Sequence, residues 1–103
     1  MEFLVRFDIG PLPADMPDSE QADLRAREAA RGRELWDTGQ MQRIWRIPGR
    51  WGALVVYDVA DATALHEVIA SLPLYPYMRT DVTALADHPF EIERRAAGSG
   101  TPG

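Results

Sequence analysis

Few side chains in this sequence can do chemistry, because its 103 residues include no cysteine and only two histidines. That excludes a thiolate nucleophile, a disulfide, an iron–sulfur cluster and a Cys-bearing zinc site. The work falls to carboxylates, Arg, Tyr, Trp or His, with no metal site expected. Among the carboxylates Glu28 stands out. At about 100° per residue, Leu24, Glu28, Arg31 and Leu35 share a stripe roughly 40° wide on one helical face. Glu28 is therefore predicted to face inward. A carboxylate there must be paired, protonated or used, and partial burial raises its pKa toward the range useful for proton transfer. The structural alternative, which pattern alone favours, is a bridge to Arg31 at i,i+3 or to an Arg on the sheet. Gly32, one turn on, leaves space beside the carboxylate.

Other candidates carry less weight. Trp45-Arg46 and Trp51 put large side chains on facing strands; such aromatics are usually core, yet an Arg beside a Trp at a cleft edge can clamp a carboxylate. Tyr75 and Tyr77, in Leu72-Pro73-Leu74-Tyr75-Pro76-Tyr77-Met78, either line a pocket or pack as an apolar turn. His66 lies off the apolar stripe of its helix, and His88 before Pro89 reads as a cap on the chain end. Arg25, Arg27, Arg31 and Arg33 read as a mostly solvated helix face, able at most to hold one small anion.

These residues need elements to hold them, and the chain reads as strand, helix, strand, strand, helix, strand. Phe3 to Ile9 alternates with period two, Phe3, Val5, Phe7 and Ile9 on one side, and Gly10-Pro11-Leu12-Pro13 stops it. Asp18 and Gln21 stand at capping-box spacing for a helix of about five turns ending at Gly39. Met41 to Pro48 and Trp51 to Val59 form strands around Gly49-Arg50. Asp61 caps a second helix with Leu65, Ile69 and Leu72 as its stripe, ended by Pro73. Tyr77 to about Leu85 is the fourth strand. Residues 93–103 are predicted to be a disordered tail after a single domain over 1–92, since the last stretch is Ala, Gly, Ser, Thr and Pro.

The order βαββαβ predicts an α+β, ferredoxin-like fold, a four-stranded antiparallel sheet with two helices on one face. Strand three is apolar on both sides, so the other sheet face is expected to be covered by self-association into a dimer or larger ring. The formal charge of −5 argues against a nucleic-acid partner. No apolar run reaches the roughly 18 residues of a membrane span and no signal region is present, which predicts a cytoplasmic protein with no membrane partner.

Arg25-Ala26-x-Glu28, Trp45-Arg46-Ile47-x-Gly49, Leu72-Pro73-Leu74-Tyr75-Pro76-Tyr77-Met78 and His88-Pro89 resemble, in order and spacing, the muconolactone Δ-isomerase family over about residues 1–92. The resemblance implies a cofactor-free isomerase of the 3-oxoadipate pathway of aromatic compound catabolism. Such an enzyme turns muconolactone into 3-oxoadipate enol-lactone and assembles into a homo-oligomeric ring, commonly a decamer. It also implies Glu28 as the acid/base that carries a 1,3-proton shift and Arg46 as the substrate-carboxylate clamp; Trp45, Arg50, Trp51, Tyr75 and Tyr77 are the further residues expected around the small-molecule lactone or enolisable acid. Arg50, Trp51 and Ala53 depart from the family pattern. They leave room for a diverged isomerase, cyclase or dehydratase of a specialised-metabolite intermediate, or for a non-catalytic ligand-binding oligomer.

Overall fold

The computed structural model describes residues 1–99. Alternation builds β1 (Glu2–Ile9), which buries Phe3, Val5 and Phe7 on one side while Leu4, Arg6 and Asp8 stay half-buried on the other. Helix α1 (Asp18–Asp37) buries Leu24 and Leu35, as its stripe requires. The expected capping box does not form at its start. Pro17 is the flanking residue and no side chain caps the helix; the Gln21 amide instead donates to the Met16 carbonyl at 3.0 Å. Asp18 and Glu20 in the first turn still suit the positive end of the helix dipole.

Strands β2 (Met41–Arg46) and β3 (Gly52–Asp58) form a hairpin. Both are shorter than the sequence suggests because the chain leaves the ladder for a turn closed by Arg50 N–H on the Ile47 carbonyl at 3.1 Å. Gly49 takes the left-handed φ of 78° that this turn needs. Gly52 is required for a different reason, since a Cβ there would stand 1.9 Å from the Phe7 carbonyl oxygen. Helix α2 (Ala62–Ala70) is capped by Asp61, whose carboxylate accepts from Ala64 N–H at 2.8 Å. A single 3-10 turn, Tyr75–Tyr77, then delivers the chain to β4 (Met78–Leu85).

The sheet order is β2-β3-β1-β4, antiparallel throughout, the ferredoxin-like arrangement. One core joins Phe3, Val5, Phe7, Val55 and Tyr57 of the sheet to Leu35 of α1 and Leu65, Val68 and Ile69 of α2. Both helices therefore serve one sheet face. The opposite face is more polar than β3 alone suggests. Leu4, Leu54 and Val56 share it with the Arg6–Asp8 ion pair and with Trp45, over which Arg43 stacks at 4.7 Å.

The described end of the chain also differs from expectation. Helix α3 (Pro89–Ser99) occupies most of the stretch read as a disordered tail. His88 accepts from Phe90 N–H at 3.0 Å through Nδ1, and Arg95 reaches Glu2, Asp87 and Glu91 at 3.4, 3.3 and 3.6 Å. A cap and three carboxylates around one guanidinium favour a helix that composition alone does not reveal. The remainder of the stretch, residues 100–103, lies outside the described residues.

Candidate active site

Between α1 and the helix-bearing sheet face lies a cavity of about 400 Å³. Helical spacing supplies its first wall: Glu28, Ala29, Gly32, Arg33 and Trp36 recur on one side of α1. The floor is the inward-pointing series of the strands, chiefly Phe7, Ala53, Val55, Tyr57 and Ile44. Leu72, Leu74 and Met78, from the Pro-containing segment after α2, close the third side. Apart from Glu28, Arg33, the Tyr57 hydroxyl and the Trp36 indole N–H, the wall is apolar.

Glu28 is the chemically notable group. The cation that spacing offers it goes elsewhere, since Arg31 pairs with Glu34 and donates to the Ser71 hydroxyl, both at 2.9 Å. The side chain of Glu28 instead accepts from Leu74 N–H at 3.3 Å. Burial among apolar walls holds its carboxyl above the ordinary glutamate value of 4.5, and the Leu74 hydrogen bond offsets part of that rise. Tyr57 forms the floor beneath. Burial pushes its phenol well above the usual tyrosine range, and the Glu28 charge pushes in the same direction against a smaller opposing effect of Arg31.

Of the other residues expected around the substrate, Arg46, Trp45, Arg50, Trp51, Tyr75 and Tyr77, none lines the cavity. Arg46 comes nearest: it pairs in register with Ala53, a floor residue, so it shares the cavity face at the exposed edge strand. Trp45 lies on the opposite face under Arg43. Arg50 approaches Asp8 at 3.6 Å from the hairpin, and Trp51 beside it is 84% exposed. Tyr75 is largely turned outward, and Tyr77 uses its carbonyl to accept from Gly10 N–H at 2.7 Å. Their segment contributes to the site through its leucines rather than its tyrosines.

Sequence reasoning missed Tyr57 and Arg33 as site residues. Tyr57 alternates with Val55 and Ala53 on β3, a signal for inward orientation that does not separate core from cavity floor. Arg33 sits about 140° round the helix from Glu28 and reaches the wall one turn beyond Ala29, so its spacing from Glu28 gave no signal for it.

A ferredoxin-like sheet with one uncompensated carboxylate over an apolar cavity defines a small acid/base site on an α+β scaffold. Comparison with known proteins sharpens this. The profile of the family described as muconolactone delta-isomerase matches residues 1–91. The chain is 40% identical to the muconolactone Δ-isomerase of Cupriavidus pinatubonensis, over 89% of this chain and 99% of that one. It is 38% identical to that of Acinetobacter baylyi, over 89% and 95%. The crystal structure of a muconolactone isomerase superposes with a TM-score of 0.79 at 36% identity, covering 86% of this chain and 92% of the other. A dehydrochlorinase from Burkholderia phenoliruptrix shares the fold, with a TM-score of 0.58 at 16% identity over 87% and 98%. This chain belongs to the muconolactone Δ-isomerase family.

Proposed function

We propose that this protein is an isomerase that moves the ring double bond of muconolactone to give 3-oxoadipate enol-lactone, with Glu28 as its single acid/base. The observation that carries the reading is the Glu28 carboxyl, unpaired by any cation among the described residues and raised in pKa, on the wall of a mostly apolar cavity. The ionised carboxylate removes a proton from the ring carbon that bears the side chain. The electron pair shifts through the double bond onto the lactone carbonyl, giving a dienolate. The same carboxyl then returns the proton to the carbon beside the carbonyl. Nothing is oxidised or reduced and composition is unchanged, so one group near its own pKa can serve both steps.

The substrate carboxylate needs a cation at the rim. Arg33, on the wall, and Arg46, on the same sheet face, supply it; among the described residues neither is held in an ion pair. Of the three departures from the family pattern only Ala53 touches the cavity, while Arg50 and Trp51 lie outside it. That placement favours muconolactone over a different butenolide. The groups given roles fall within residues 1–92, which we take as the catalytic unit. The reading implies a cytosolic enzyme of small-acid catabolism.

The assembly proposed is a homo-oligomer, a dimer or larger ring. Its support is exposed apolar surface on Trp51, Phe90, Ile92 and Val82, at 84%, 75%, 55% and 49%. The test of function is proton NMR of muconolactone in heavy water with the wild type and Glu28→Gln. Wild-type conversion with deuterium uptake, and a loss of at least about a hundredfold in the variant, is the expected result. A folded wild type that neither converts nor exchanges the lactone overturns it.

A further inference from the structure

We propose that Tyr57 is a second catalytic residue, its hydroxyl donating a hydrogen bond to the carbonyl oxygen of the lactone as the dienolate forms. The inference rests on the isomerase reading and deepens it. A proton shift through a dienolate places negative charge on a carbonyl oxygen, and a donor aimed at that oxygen lowers the barrier most where water is excluded. The cavity offers few donors. Its polar groups are Glu28, which accepts, Arg33 and the Trp36 indole N–H, whose side chains are exposed at the rim, and the buried Tyr57 hydroxyl.

Three observations point to Tyr57 rather than to a core tyrosine with a satisfied hydroxyl. The residue is 1% exposed, yet among the described residues its hydroxyl makes no hydrogen bond. No buried side-chain polar atom is sealed off without a partner among those residues, so the phenol oxygen opens onto the cavity it lines. A buried tyrosine ordinarily finds a partner; here the partner is the bound molecule. The ring is also fixed in place. β3 holds its backbone between β1 and β2, and Phe7 meets the ring edge-on at 6.3 Å between centroids.

The charge environment suits a donor. Burial and the neighbouring Glu28 both keep the proton on the phenol, with Arg31 acting weakly the other way. Tyr57 therefore stays neutral and donating throughout the range in which Glu28 titrates. No proton leaves it in the reaction: the hydrogen bond strengthens as the oxygen gains charge and relaxes when Glu28 reprotonates carbon.

The test is steady-state kinetics of Tyr57→Phe beside wild type and Glu28→Gln, with muconolactone as substrate and melting followed in parallel. Tyr57→Phe should keep its fold, because the deleted hydroxyl has no protein partner. Its kcat should fall at least about tenfold with KM changed less, and the acidic limb set by Glu28 should stay in place. Conversion by Tyr57→Phe within about twofold of wild type overturns the proposal while leaving the isomerase reading intact. So does a shifted acidic limb with kcat retained, which would make Tyr57 a positioning residue for Glu28. If the wild type itself does not convert the lactone, the isomerase reading falls and this role falls with it. Should Tyr57→Phe melt markedly lower, its kcat is read at a temperature where circular dichroism shows it folded, and a value within about twofold of wild type there overturns the proposal.

Discussion

Glu28 connects stability and activity with opposite preferences for its proton. Its folded pKa lies above the ordinary value of 4.5, so its contribution to stability is fully present below that value and is lost as pH rises through the folded pKa. The ionised form is the one that takes a proton from substrate. The acidic limb of kcat/KM should therefore lie above 4.5, and a pH–rate profile with an inflection at or below it would contradict the role. Glu28→Gln should abolish turnover yet raise Tm at neutral pH by a few degrees, the gain shrinking as melts are taken down through the folded pKa and vanishing below about pH 4.5. How far these residues can be read from sequence depends on periodicity. Glu28 was legible because a carboxylate between Leu24 and Leu35 on one helical face is anomalous. Tyr57 was not, because period two separates faces of a strand without saying where a helix withdraws and leaves a cavity. Trp45 and Trp51 misled for a related reason. Aromatic type is informative only once register assigns a face, and the register turns Trp45 away from the helices.

At the scale of elements, α1 carries an internal contradiction in Gly32. Glycine costs a helix interior about 1 kcal/mol relative to alanine, and a Cβ at this position would meet nothing within 4 Å. Gly32→Ala should therefore stabilise the protein by about that amount in urea melts. A larger change at the same place, Gly32→Leu, should fill the space beside Glu28 and lower kcat/KM at least about tenfold, measured with the same lactone. The hairpin is less forgiving: Gly52→Ala drives a methyl into the Phe7 carbonyl, and a loss of 2 kcal/mol or more is expected. The strands, both main helices and their order could be read from alternation, apolar stripes and Pro/Gly punctuation. The cap of α1 and the existence of α3 could not. At the start of α1 the Gln21 amide turns back to the Met16 carbonyl and leaves no side-chain cap, and α3 depends on a contact between segments, Arg95 with Glu2.

The whole molecule presents apolar surface at its periphery as well as in its cavity. Sedimentation velocity should give a mass that is a multiple of the chain's own, and a monomer at micromolar concentration would refute the assembly. No helix among the described residues is long and apolar enough to cross a membrane. The deeper consequence lies inside. Phe7, Met41, Val55, Tyr57 and Leu72 belong at once to the buried core and to the wall of the cavity. An empty protein is thus an incompletely packed one, and a bound lactone stands in for the missing layer of side chains. Ligand at about a hundred times its Kd should stabilise Glu28→Gln by about 2.7 kcal/mol. Selectivity and foldedness are therefore written in the same residues here. A lineage of this protein could not reshape its pocket for a new molecule without first finding, elsewhere in a small domain, the cohesion that the change removes.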